Sequence, residues 1–373
     1  MHFEKNLKKY LSKRSEKFWS FNKKPNFKKY DFFIIVPSKA EKNYLPKLIR
    51  SISTQQKKYL EKTLVIIVIN NSENENKQII NNNEETQKYL NRSDFKFEIV
   101  YIDAFSNKNA LPSKKAGVGL ARKIGADLAL KHSKKSSIMC YTDADVILSK
   151  NYLKVINHYY EKNMCGCAIA GFKHQDNIDS KITKNIRKYE NFLYITAKKI
   201  KQAGSPYGYV SLGSCITCTS NSYISVGGMN SKKATEDFYF LQELTKHFQF
   251  MHVINKKIVY PSSRLSDRVY LGTGYRMNKA LNEQKIKEIY FSDESFVKLN
   301  KLLSIIKESN RLNINELLDK TKDIGKLNKF LELHGIKKIW KSLVKNTDYD
   351  KFISQFNRWF DGLLTIKFLK YFS

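Results

Sequence analysis

The sequence predicts an α/β protein: a mostly parallel sheet with helices on both faces, followed by a helical C-terminal region. Three observations carry this. Apolar runs of strand length alternate with helix-period segments from residue 31 onward. Some runs are apolar at nearly every position, as strands covered on both faces are. Beyond about residue 275 strand-like runs stop while helical periodicity continues.

The elements follow in order. Phe32 to Val36 is a β-branched and aromatic strand ending at Pro37. Leu45, Leu48, Ile49 and Ile52 recur at helical spacing. Leu64 to Ile69 is a second strand; a polar, Asn- and Glu-rich stretch follows it, and Phe97 to Ile102 is a third strand. Ala116 to Leu130 reads as a helix on Leu120, Ile124 and Leu128. Ile138 to Tyr141 is a strand running into Thr142-Asp143-Ala144-Asp145, residues 150–162 are helical, and Cys167 to Ala170 is a strand. A long helix over 180–202 precedes a Gly/Ser/Cys-rich region, Gly204 to Gly228. A helix starts near Glu236, Met251 to Val259 is a final strand, and 278–310, 314–333 and 348–371 read as helices. This divides the chain into a basic N-terminal extension (1–30), an α/β domain (31–275) and a helical region (276–373). There are no internal repeats.

Composition narrows the function classes. The 373 residues carry 67 Lys and Arg against 35 Asp and Glu, a net charge of +32, which favours an anionic partner without choosing one. Residues 1–30 alone hold ten basic and two acidic side chains. The surplus fits either a generally solvated basic surface or a functional basic arm. No apolar run is long enough to span a membrane, and the start lacks the apolar stretch of a secretory signal. The expected location is the cytoplasm, with peripheral membrane contact open. Cys140, Cys165, Cys167, Cys215 and Cys218 lie in small-apolar stretches and read as buried reduced thiols rather than a zinc site.

In such a fold, ligands bind beyond the C-terminal strand ends, so residues there matter most. Asp143 and Asp145 are two apart in extended chain and face one side, which suits Mg²⁺ or Mn²⁺ with a substrate diphosphate; they also suit capping of the next helix. Glu236 and Asp237 open a helix, where acidic residues belong. They follow Gly227-Gly228-Met229, so a general base near the metal site is the sharper reading. Gly117-Val118-Gly119 is not a dinucleotide fingerprint; its glycines read as tight packing at a helix start. Arg122 is either a diphosphate ligand or a solvated arginine. No Walker loop, nucleophile elbow or zincin motif occurs, and no nucleic-acid reading element does either.

Taken in register, these residues resemble the family 2 glycosyltransferases of the GT-A fold, over about 31–275. Val36-Pro37-Ser38-Lys39-Ala40-Glu41 is similar to the family's Val-Pro-x-x-Asn-Glu turn, with Ala40 in place of Asn. Gly117 to Gly125 is similar to Gly-x-x-x-Ala-Arg-Asn-x-Gly. Asp143-Ala144-Asp145 is similar to Asp-x-Asp, and Gly227-Gly228-Met229 with Glu236-Asp237 is similar to Gly-Gly-Phe…Glu-Asp. The resemblance implies an inverting sugar transfer from a nucleotide-diphosphate donor, most readily a UDP-sugar, to a hydroxyl of a glycan or lipid-linked acceptor. It implies Mn²⁺ or Mg²⁺ at Asp143 and Asp145, Asp237 as base, and Glu236 positioning the acceptor or the loop. Pro37, Glu41, Asn71 and Arg122 would line the nucleotide pocket.

There are departures. Asn70-Asn71-Ser72 stands where the family often has Asp-Asp, and the Gln-x-x-Arg-Trp of processive synthases is missing. Instead Arg264, Asp267 and Arg268 precede Gly272-Thr273-Gly274, as a loop closing over the diphosphate or a surface ion pair. In the C-terminal region Trp340, Trp359, Phe360, Leu363, Leu364, Phe368 and Leu369 are interspersed with Lys and Arg. They fit packing within the protein or an amphipathic membrane contact. The alternatives are a basic nucleic-acid-binding protein, resting on charge alone, and a GT-A-like nucleotidyltransferase, whose Gly-rich basic loop after the first strand is not seen.

Overall fold

A computed structural model describes residues 2–264, 290–346 and 348–373. Asp267, Arg268 and Gly272-Thr273-Gly274 lie outside them. The described elements from the start to Tyr260 are α1 (His2–Lys13), β1 (Tyr30–Ser38), α2 (Leu45–Ser53), α3 (Lys57–Leu60), β2 (Thr63–Asn70), α4 (Lys77–Arg92), β3 (Ile99–Ala104), α5 (Val118–Leu130), β4 (Ser133–Tyr141), β5 (Ile147–Leu148), α6 (Tyr152–Asn163), β6 (Cys167–Phe172), α7 (Ser180–Gln202), β7 (Ile216–Thr219), α8 (Ser220–Ser225), α9 (Glu236–Phe248) and β8 (His252–Tyr260).

The eight strands form one sheet in the order β3-β2-β1-β4-β7-β6-β8-β5. β1 pairs in parallel with both β2 and β4, and β2 with β3. β7 is inserted antiparallel between β4 and β6. This is the mostly parallel arrangement that the sequence predicts. β1 and β2 are the centre because their runs are apolar on both faces: Phe33, Ile34, Ile35, Val36 and Leu64 to Ile69 are wholly buried. Each such side chain contributes about 1.5–3 kcal/mol of burial. α5 lies close on this centre because Gly125 has no side chain; a Cβ there would stand 2.7 Å from Ile35 Cγ2.

The sheet's order reverses at β1, with β2 and β3 on one side and β4 on the other. Loops leaving β1 and β4 therefore diverge and open a crevice at their C-terminal ends. Pro37 to Glu41 and Asp143 to Asp145 leave from there.

Two elements, α4 and the N-terminal segment, differ from the sequence reading, while β7 falls where the Cys215–Cys218 stretch reads as a strand or its edge. The polar stretch after β2 contains the 16-residue helix α4, capped by Asn76, whose side chain accepts from Ile79 N at 3.0 Å. β7 is a strand inside the Gly/Ser/Cys-rich region. Residues 2–22 are not a free arm. α1 buries Leu7 and Tyr10, Trp19 Nε1 donates to Asn109 O at 2.8 Å, and Asn22 N donates to Tyr101 O at 2.9 Å. With the Phe21–Ile102 bridge, this last contact covers the exposed edge of β3.

The chain divides into two compact units. One comprises Met1–Ile186, Ser211–Leu244 and His252–Asn278; the other comprises Arg187–Val210, Thr245–Met251 and Lys279–Ser373. The second unit is helical and has its own core, in which Leu299, Leu302, Phe330, Trp340, Phe352, Phe356, Phe360, Phe368 and Leu369 are buried. The apolar residues weighed for a membrane are thus largely spent on this core, and Trp340 Nε1 donates to Leu312 O at 2.9 Å. Among the described residues no helix is long and apolar enough to cross a membrane. All five cysteines are buried and none is in a disulfide.

Candidate active site

The site is built around one buried arginine. Arg122 sits in the second turn of α5 and is 3% exposed. Its Nη1 lies 2.5 Å from Glu236 Oε1 and its Nη2 2.5 Å from Asp143 Oδ1. The helix start tolerates this because Gly117 and Gly119 have no side chains. A Cβ on Gly119 would lie 2.4 Å from Lys232 O and 2.8 Å from Glu236 Cβ. Gly213 makes room on the other side, since its Cβ would stand 2.2 Å from Arg122 Nη1. Of the two sequence readings for Arg122, a solvated residue is excluded. Its charge is held by two carboxylates, which raise its pKa above the ordinary value against the pull of burial.

The carboxylates differ in environment. Asp143 is the open one, with 38% of its side chain exposed. Asp145 is more enclosed, and burial with the nearby charges of Asp143 and Glu41 pushes it up to about 6 although Arg264 opposes this. Burial likewise raises Glu236 to about 7 against Arg122. Asp237 is also raised by burial, yet its surface is partly open. Its Oδ1 accepts from Phe238 N at 2.7 Å. Thr235, just before the pair, has φ of +63°, a left-handed conformation that a β-branched residue rarely adopts.

Arg264 stands where a cation is needed. Its Nε is 2.9 Å from Asp145 Oδ2, its Nη2 bonds Glu41, and the guanidinium lies 4.3 Å from the centre of the Tyr44 ring. Arg264 therefore bridges the turn after β1 and the Asp143–Asp145 segment. The sequence leaves open a contact over the diphosphate or an ion pair; the partners of Arg264 here are the carboxylates of Glu41 and Asp145.

Asn71 is turned inward. Its Oδ1 accepts from Asn83 Nδ2 at 2.8 Å, and its Nδ2 donates to Ser72 O and Phe105 O at 2.9 and 3.1 Å. The same Asn83 accepts from Ala40 N at 2.8 Å. Through Asn83 the Asn71 amide ties the β1 and β2 turns together by way of α4. Asn83 was missed because its helix was missed. Pro37 pairs with Val68 within the sheet and is buried backbone scaffold at the crevice.

The donor set suits a hard cation. It offers carboxylate oxygens in excess of basic groups, and the upward pressure on Asp145, which comes chiefly from burial, is one that a divalent ion would relieve. Among the described residues no three His, Cys, Asp or Glu side chains converge as a closed cage, so the ion would share its shell with substrate oxygens. Ser38 Oγ and Thr142 Oγ1, at the ends of β1 and β4, are buried polar atoms without a partner among the described residues. Sequence reasoning did not single them out.

The acidic, arginine-braced cluster stands at the C-terminal strand ends, where such sheets bind ligands. Residues 33–214 match the family model described as Glycosyl transferase family 2. No curated protein matches the chain. Solved structures with a similar course include TarS 1-349 from S. aureus in complex with UDP-GlcNAc, at 13% identity and a TM-score of 0.45, covering 88% of this chain and 91% of that one. They also include the mannosyltransferase PcManGT from Pyrobaculum calidifontis in complex with GDP-Man and Mn2+, at 12% identity and a TM-score of 0.42, covering 96% and 93%. Of a further TarS structure the chain covers 55%.

Proposed function

We propose that the enzyme transfers a sugar, with inversion, from a nucleotide-diphosphate donor to a hydroxyl of a cell-surface glycan or a lipid-linked precursor, with a UDP-sugar as the first donor to test. The observation that carries this is the convergence of Asp143, Glu236 and Arg122 in one unit, with Asp145 and Asp237 adjacent in sequence.

Asp237 acts as the base: it takes the acceptor proton as the acceptor oxygen attacks the anomeric carbon and the bond to the diphosphate breaks. Asp143 and Asp145 are the residues to hold Mn²⁺ or Mg²⁺. When bound, the ion supplies positive charge for the departing diphosphate. Glu236, fixed on Arg122, positions the start of α9. Its raised pKa reflects burial and does not make it the base, because its carboxylate is already committed to a buried ion pair. Glu41, held by Arg264, shapes the floor beneath the donor. Arg268 belongs to this reading as a further diphosphate contact. A peripheral membrane position would bring a lipid-linked acceptor within reach.

Calorimetry with UDP, GDP and dTDP, with and without Mn²⁺, tests the donor; absence of binding to all three rejects it. Asp237→Asn is expected to lower transfer at least about 100-fold while nucleotide affinity stays within about threefold. Full activity in that variant removes Asp237 from its role.

A further inference from the structure

Asp127 is a buried carboxylate that the proposed chemistry does not use. It lies one turn along α5 from Lys123, whose neighbour in the chain is Arg122. Both its oxygens are occupied. Oδ1 accepts from Tyr10 OH at 2.8 Å and Tyr223 OH at 3.0 Å. Oδ2 accepts from Lys123 Nζ at 2.7 Å and Glu16 N at 2.8 Å. Lys123 Nζ also donates to Tyr10 OH at 3.1 Å and to Arg14 O at 2.9 Å. A buried, fully paired cluster thus binds the segment 10–16 to the helix that carries Arg122.

The same segment meets the glycines before the catalytic helix. Gly227 and Gly228 have φ of +83° and +81°, where a side chain is strained. Their side-chain space is filled by the N-terminal segment: a Cβ on Gly228 would stand 2.0 Å from Tyr10 OH, and one on Gly227 would stand 2.0 Å from Arg14 Nη1. Aromatic contacts continue inward. The rings of Tyr10 and Tyr223 are 5.7 Å apart, and those of Tyr223 and Phe240 are 5.8 Å apart. Phe240 lies one turn after Glu236 and Asp237 on α9.

We infer that residues 10–16, which lie outside the matched family domain, are a built part of the active site. Tyr10 and Asp127 are positioning residues that hold Gly227–Gly228, and through Tyr223 and Phe240 set the start of α9, where Glu236 and Asp237 stand. The inference rests on the role given to Asp237, but its geometric half does not depend on that role. A segment that merely covers apolar surface would not need to close on two left-handed glycines and a buried carboxylate together.

The test compares full-length wild type, Tyr10→Phe, Tyr10→Ala and an exposed control on the same helix, Lys5→Ala. Amide hydrogen exchange across residues 227–237 is read together with donor KM and kcat. For Tyr10→Ala the expected result is at least tenfold faster exchange confined to 227–237, kcat down about tenfold and donor KM within twofold. Tyr10→Phe, which keeps the ring, is expected to fall between it and wild type, and Lys5→Ala to match wild type. Unchanged exchange in 227–237 for both Tyr10 variants, each folded by circular dichroism, overturns the inference. So does an equal rise in exchange throughout the unit. Should Asp237→Asn keep full activity while the Tyr10 variants still loosen 227–237, the assignment of the base fails and the clamp stands.

Discussion

Replacing Arg122 by Met tests the electrostatic account of the site most directly. Methionine keeps much of the length and packing but removes the charge. The Arg122–Glu236 pair is 3% and 4% exposed, so its loss strands a buried carboxylate, which costs on the order of 3–5 kcal/mol. The leg to Asp143 adds little, because 38% of that side chain is in water and such a pair is worth at most about 1 kcal/mol. Glu236 has an escape: already raised to about 7, it takes up a proton once Arg122 is gone. That places the loss near pH 7 at the low end, about 3 kcal/mol, or a fall in Tm of roughly 6–12 °C.

The sign with pH follows from linkage. A carboxyl whose folded pKa is raised binds more protons folded than unfolded, so its contribution is present at low pH and is lost as pH rises. In the wild type that loss is complete near pH 7; in the variant it continues above 7 by up to about 1.4 kcal/mol per unit. The gap between the two proteins should therefore widen from pH 6 to 8.5 in urea unfolding followed by circular dichroism. Adding Glu236→Gln to Arg122→Met should recover most of the loss. A loss below about 1 kcal/mol at pH 8, or one that does not change with pH, refutes the reasoning.

Three other outcomes follow from the geometry. Ala40 adopts φ of +52°, where an alanine is strained and asparagine is at home, so Ala40→Asn should stabilise the protein by about 1 kcal/mol in the same unfolding assay. Asp145, raised to about 6, must lose its proton to take a cation, so Mn²⁺ affinity by calorimetry with UDP present should fall about tenfold per unit below pH 6; Arg264→Ala, which removes the competing guanidinium, should strengthen Mn²⁺ binding without nucleotide. Burial lifts Cys140 and Cys167 to about 12 and Cys165 to about 11, so iodoacetamide at pH 8 should leave the native protein unlabelled and modify all five cysteines after denaturation.

The central strands were legible in the sequence because both faces of β1 and β2 are buried, which leaves runs of Ile, Val and Phe with no polar interruption. The acidic pairs were legible because strand and helix ends put them at predictable places. What was not legible depended on partners far along the chain. α4 buries only Asn83, Thr86 and Leu90 and shows no apolar face to read. The inward turn of Asn71 required Asn83, and Tyr10 looked like one aromatic in a lysine-rich stretch until Asp127 and Gly228 stood opposite it.

The clamp has a consequence for how the chain is made. Tyr10 precedes its partner Asp127 by 117 residues and Gly228 by roughly a hundred more. At ribosomal speeds of about 5–20 residues per second, the helix carrying Tyr10 waits on the order of ten to forty seconds before its glycines exist. During that interval its apolar residues, Leu7 and Tyr10, have no docking place while five lysines and an arginine surround them. The charge density of this segment then acts as a solubility tag for a helix that must stay unattached. Helix α9, in turn, gains its final seat only when the segment carrying Tyr10 returns to meet it.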